Sequence, residues 1–174
     1  MSVMDNQKKR MITIRPATLA DADLIRRLAE VAFPATYRPI LSEAQIAYMM
    51  QWMYAPERLV EQIHAGHHYL LAAWNGEPCG YCSIEREGAG RYHLHKIYLL
   101  PEAQGKGIGK ALWQAALIYA RSFGEPRATL ELRVNRANPA LGFYHHMGMQ
   151  ILRSEDLSIG EGFSMNDYIM GMEL

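Results

Sequence analysis

Apolar residues alternate, then recur at helical spacing, then alternate again along this chain. Residues 12–15 (Ile-Thr-Ile-Arg) alternate and stop at Pro16, which predicts a first strand. Thr18 with Asp21 three residues on is a capping pair, opening a helix with Leu24, Ile25, Leu28 and Val31 on one face. Ser42 and Gln45 start a second helix bearing Ile46, Tyr48, Met49, Met50, Trp52 and Met53. Pro56 begins a third, stopped by Gly66.

Strands are predicted over 68–74, 80–85 and 92–99. Asn75-Gly76 makes the first hairpin and Gly88-Ala-Gly90 the second turn. Past Gly109 the period becomes helical, with Ile108, Leu112, Ala115 and Tyr119 on one stripe. A fourth strand follows over 128–134, then a short helix over 138–147 closed by Gly148. Residues 150–154 and 167–172 read as final strands, and the stretch between them, with Gly160 and Gly162, as a mobile loop. This order predicts one mixed α/β domain over residues 1–174, with 1–10 flexible.

The 174 residues fit one domain, and 49% hydrophobic residues suffice for a core. Net charge is zero, so bulk attraction to nucleic acid or an anionic membrane is not expected. Charge is nonetheless uneven. Residues 94–136 hold seven basic side chains (Lys96, Lys106, Lys110, Arg121, Arg127, Arg133, Arg136) against Glu102, Glu125 and Glu131. Residues 154–174 hold five acids (Glu155, Asp156, Glu161, Asp167, Glu173) and no Lys or Arg. A local positive field suits a polyanionic ligand and a negative end suits a cationic one; ordinary solvated surface is the simpler reading. No apolar run is long enough for a membrane span, and residues 1–10 lack a signal-peptide core, so a cytoplasmic protein is expected. Cys79 and Cys82 sit on a strand, where this spacing turns them to opposite faces. No second pair completes a zinc site, and no metal is expected. His64, His67 and His68 read as surface or turn residues without a ligand complement.

The most informative passage runs from Pro101 through Gln104-Gly105-Lys106-Gly107-Ile108-Gly109 into a helix. Three glycines in five positions let the backbone turn sharply, and the helix start adds unpaired N–H groups and a positive dipole end. Such a turn binds anions, a pyrophosphate among them. A glycine-rich turn without ligand remains open. A P-loop is disfavoured because no Lys-Ser/Thr follows the last glycine. A dinucleotide site is disfavoured by the G-x-G-x-G spacing and by the turn's place past mid-chain.

Gln104-x-x-Gly107-x-Gly109 resembles the Q/R-x-x-G-x-G/A coenzyme signature of the GNAT superfamily of acetyl-CoA-dependent N-acetyltransferases. The strand residues Ile97-Tyr-Leu-Leu-Pro101, the later Asn138-Pro-Ala-Leu-Gly-Phe-Tyr144 with Met147-Gly-Met149, and the ending Asp167-Tyr-Ile-Met are also similar to that family. The later segment is shifted by one at its Ala. The resemblance implies a central, mostly antiparallel, V-splayed sheet of about seven strands flanked by helices. It implies acetyl-CoA as cosubstrate, with backbone of Ile97, Tyr98 and Leu99 pairing with the pantetheine arm. Amides of Gly105, Lys106, Gly107, Ile108, Gly109 and Lys110, with Gln104, would hold the pyrophosphate, and Asn138 would touch the coenzyme. The chain looks somewhat like the polyamine-acetylating branch, and a homodimer is compatible with it.

Acetylating an amine of pKa near 10 at pH 7 requires a base to take its proton and an acid to protonate the departing thiolate. His93 and His95 lie two apart on one strand and so share a face, counted together with Ile97 and Leu99. They resemble the paired histidines of serotonin N-acetyltransferase, and Glu85 on the neighbouring strand is a further base candidate. Tyr144 matches the family tyrosine near the coenzyme sulfur and is the expected acid. The resulting expectation is direct acetyl transfer from acetyl-CoA to a primary amine of a small molecule or peptide. A catalytically silent acyl-CoA-binding sensor is the alternative.

Overall fold

The computed structural model describes residues 11–174; the flexible start expected over 1–10 lies outside the described residues. Seven strands form one sheet in the order β1-β2-β3-β4-β5-β7-β6. They are β1 (Ile12–Pro16), β2 (His67–Trp74), β3 (Glu77–Gly88), β4 (Arg91–Leu99), β5 (Thr129–Asn135), β6 (Gln150–Gly160) and β7 (Phe163–Glu173). Neighbours are antiparallel except β4 and β5, which run parallel. Helices α1 (Ala22–Tyr37), α2 (Glu43–Tyr54) and α3 (Pro56–His64) cover one face around Phe33, Tyr54, Leu59 and Tyr81. Helices α4 (Ile108–Arg121) and α5 (Leu141–His146) cover the other, around Ile84, Leu112, Trp113 and Leu130. No helix among the described residues is long and apolar enough to cross a membrane.

Local signals act as anticipated at most ends. Asn75 and Gly76 take φ of 49° and 87°, the left-handed pair that a two-residue hairpin requires. The Thr18 amide donates to Asp21 Oδ2 at 2.8 Å, and Ser42 Oγ accepts from the Gln45 amide at 3.1 Å. On α1 the buried stripe is Ile25, Leu28, Ala29, Ala32 and Phe33, whereas Val31 is 50% exposed. At about 100° per residue Val31 stands roughly 120° round the helix from Ile25, so it falls outside the stripe.

Two further expectations fail for backbone reasons. The stretch read as a loop is instead the end of a long hairpin: β6 and β7 pair out to Gly160 and Phe163, and Glu161 and Gly162 make its turn at φ of 54° and 78°. Here β6 is solvated along almost its whole length, so it carries no apolar alternation to read. Cys79 and Cys82 do not face opposite ways either. The β2–β3 register slips by one at Cys79, and both free thiols enter the core beneath α4. Burial pushes Cys82 up to about 12, which leaves it a protonated packing residue.

A second slip falls at His95. Ile84 pairs with Leu94 and Ser83 with Lys96, so His95 is the extra residue. Before it Tyr92 and Leu94 face α4; after it Ile97 and Leu99 do, while Lys96 and Tyr98 turn toward the α1–α3 side. His93 and His95 keep one face in common, their rings stacked at 4.3 Å, but it is not the face of Ile97 and Leu99. β4 also parts from β5 here. The parallel pairing covers Arg91–Leu94 against Thr129–Leu132 and ends, so the sheet opens into a V.

Candidate active site

The opening of that V is the centre of a cavity of about 1110 Å³. One wall is the stretch Ile97, Tyr98 and Leu99, bonded to β3 on one edge and free of β5 on the other. A strand edge left unpaired inside a cleft presents backbone N–H and C=O groups to an extended ligand. The floor is the glycine turn: Gln104, Gly105, Gly107, Ile108, Gly109 and Lys110 all line the cavity. Gly105 and Gly107 hold φ of 76° and 82°, and Gly107 caps α4. The first amide of α4 with a backbone acceptor is Ala111, at 3.1 Å from the Gly107 carbonyl. The amides before it are available to an anion, with the positive end of the helix behind them. Lys106 leans on the Trp74 ring, 5.3 Å from its centroid, rather than into the cavity.

Tyr144 and Asn138 close the far side, both buried and both lining the cavity. Asn138 Oδ1 accepts from the Ala140 amide at 2.9 Å, fixing the start of α5, and its Nδ2 reaches the Tyr37 hydroxyl at 3.5 Å. Tyr37 in turn shares a 2.9 Å hydrogen bond with the Tyr98 hydroxyl. Burial lifts the Tyr144 phenol well above its usual range, so it keeps its proton.

The expected bases separate. His95 lines the cavity; His93 stands behind it, its Nδ1 3.7 Å from Glu87. Burial first, then the neighbouring His93, His67 and Lys96, lower the pKa of His95, so its imidazole is neutral. Glu85 Oε2 lies 2.8 Å from His95 Nε2 and 3.2 Å from His67 Nε2. With Nε2 occupied by the carboxylate, Nδ1 is the ring nitrogen left to act on a ligand. Burial raises the pKa of Glu85, which is an orienting partner of His95 more than a free base.

Two residues that were not among the expected site residues stand behind this wall, outside the cavity lining. His67 is half-buried in β2, stacked on His95 at 4.3 Å, and not a turn residue. Lys96 is buried with its ammonium 2.9 Å from Gln62 Oε1, 2.5 Å from the Tyr69 hydroxyl and 4.4 Å from the Tyr54 ring centroid; burial brings its pKa down to about 7. The acidic end, in contrast, is largely paired internally. Arg133 bonds Glu155 and Asp167, Arg136 bonds Asp156, and Arg153 bonds Glu155.

Residues 27–149 match the profile of the Acetyltransferase (GNAT) family. The chain is 31% identical over 143 residues to the N-alpha-acetyltransferase RimI of Mycobacterium tuberculosis, covering 80% of this chain and 78% of that one. It is 27% identical over 148 residues to the spermidine N(1)-acetyltransferase of Thermoplasma acidophilum, covering 80% and 89%. The match spans only 54%, 26% and 52% of the length of three other curated relatives. Among solved structures, the PaiA N-acetyltransferase of Thermoplasma acidophilum in complex with coenzyme A superposes with a TM-score of 0.80 at 25% identity. That superposition covers 94% of this chain and 99% of the other.

Proposed function

Because this chain belongs to the Acetyltransferase (GNAT) family, we propose that it transfers the acetyl group of acetyl-CoA directly to a primary amine. The observation that carries this reading is the single cavity joining the glycine turn, the free edge of β4, Tyr144 and His95. The pyrophosphate rests on the amides from Gly105 to Lys110, and the pantetheine arm runs along Ile97, Tyr98 and Leu99. That brings the thioester to the mouth of the V.

The amine, losing a proton to Nδ1 of His95, attacks the thioester carbonyl. Backbone N–H groups of β4 facing the gap steady the oxyanion. As the C–S bond breaks, Tyr144 gives its proton to the thiolate, and the proton held on His95 returns to the phenolate through water. Glu85, 2.8 Å from His95, accepts from Nε2–H and faces the imidazolium as it forms. No metal enters these steps.

For the acceptor, the acids of residues 154–174 do not by themselves favour a polyamine, because Arg133, Arg136 and Arg153 already pair with Glu155, Asp156 and Asp167. The test is product formation from acetyl-CoA with a panel containing a polyamine and a peptide with a free α-amine. Acetylation of at least one amine is expected. Tight coenzyme A binding with no product from any amine would replace this reading with that of an acyl-CoA sensor.

A further inference from the structure

Glu85 sits between two imidazoles and, among the described residues, has no Lys or Arg partner. Its Oε2 and the ligating nitrogens of His67 and His95 all lie within 4.8 Å of one another. Ligands bound at ~2.0–2.1 Å to a tetrahedral ion stand about 3.4 Å apart. The observed N···O separations of 2.8 and 3.2 Å therefore need only small adjustment. Two neutral imidazole nitrogens with one carboxylate oxygen are the donor set of an open zinc site.

We propose that His67, Glu85 and His95 form an inhibitory site for a divalent transition ion, with zinc the best match, that silences acetyl transfer by taking Nε2 of His95 and so fixing the ring proton on Nδ1, the nitrogen that would act as base. The inhibition rests on the assignment of His95 above; the binding does not. To ligate through Nε2, each ring carries its proton on Nδ1. For His67 that proton meets the buried Ser83 Oγ at 3.5 Å, the kind of outer partner that orients a ligating histidine. The rings of His67 and His95 are stacked, inclined by 17°, so one ion cannot lie in both ring planes as they stand. His95 borders the cavity, and turning about its Cβ–Cγ bond to meet the ion gives up its stacks on both His67 and His93. Lys96 directs its ammonium away, to Tyr69, Gln62 and the Met53 carbonyl.

The test titrates the full chain with zinc chloride by calorimetry and with cobalt(II) by absorption. Product is read as acetylated amine by mass spectrometry, so that zinc binding to released thiol does not interfere. One ion per chain is expected, with cobalt bands lacking thiolate charge transfer, and a loss of product that a chelator reverses. His67→Ala should bind zinc at least about tenfold more weakly, as loss of a ligand demands, and whatever rate it retains should resist zinc at concentrations that silence the parent. His67→Gln serves if the alanine variant folds poorly. Equal zinc affinity in these variants, thiolate bands from Cys79 or Cys82, or activation by zinc would each overturn the proposal. A chain inactive on every amine that still binds cobalt through His67 would refute the transferase reading while leaving the metal site standing.

Discussion

Replacing Gly107 with Ala isolates the conformational cost of the glycine turn proposed to hold the coenzyme. Gly107 caps α4 at φ 82° and ψ 6°, and a Cβ built there meets nothing within 4 Å. Sterics therefore add nothing, and the whole penalty is the left-handed backbone, about 1–2 kcal/mol for an L-residue. That strain must surface in one of two places. If the turn keeps its shape, the protein loses about 1–2 kcal/mol of stability; if it relaxes, coenzyme A must rebuild it and binds ~5- to 30-fold more weakly. Gly109→Ala is the control. Gly109 is helical, and its Cβ would lie 3.8 Å from Leu99 Cδ1 and Phe143 Cε2, an ordinary contact. Alanine there gains up to ~1 kcal/mol of helix propensity. Urea unfolding and calorimetric titration with coenzyme A, run on both variants, measure the two terms. The reasoning fails if Gly107→Ala loses neither stability nor affinity, or if Gly109→Ala is the more damaging of the two.

Tyr144→Phe should lower product formation by ~10²–10⁴-fold with coenzyme A affinity nearly unchanged, since only the donor proton is removed; turnover like the parent's would remove Tyr144 from the acid role. His95→Gln should lower turnover comparably at pH 7, with the defect narrowing toward pH 10, where the amine is already deprotonated. A constant defect across the pH–rate profile would point to a packing role instead. Lys96 carries a sign that can be checked. Its folded pKa of about 7 lies below the unfolded 10.5, so between these values the unfolded chain binds more protons and stability rises with pH. Lys96→Met should thus be more stable than the parent at pH 7, by on the order of 2–5 kcal/mol, and the gap should close toward pH 10. A methionine variant less stable at pH 7 would mean that the Tyr69, Gln62 and Tyr54 contacts outweigh the burial of the charge.

Elements with local causes were legible in advance. The Asn75-Gly76 hairpin, the Ser42 and Thr18 caps and the glycine turn into α4 follow from the conformational limits of a few residues, and each stands where the residue pattern puts it. The placement of Tyr144 and Asn138 beside that turn was legible only through family resemblance, because α5 and α4 meet across strands distant in the chain.

What the chain cannot express locally is register. Counted outward from the Asn75-Gly76 turn, Trp74 meets Glu77, and an unbroken ladder would set His67 against Ile84. The extra residue at Cys79 sets it against Glu85 instead, creating the His67–Glu85–His95 cluster. The slip at His95 likewise sends Ile97 and Leu99 to one face and Lys96 and Tyr98 to the other. Side chains alternate with period two, so a single inserted residue reverses every face beyond it. Local sequence therefore determined the glycine turn and the shared face of His93 and His95, while the acid candidate Tyr144 came from the family resemblance. Only the tertiary structure, through two one-residue slips and the parting of β4 from β5, decided which of those candidates face the cavity.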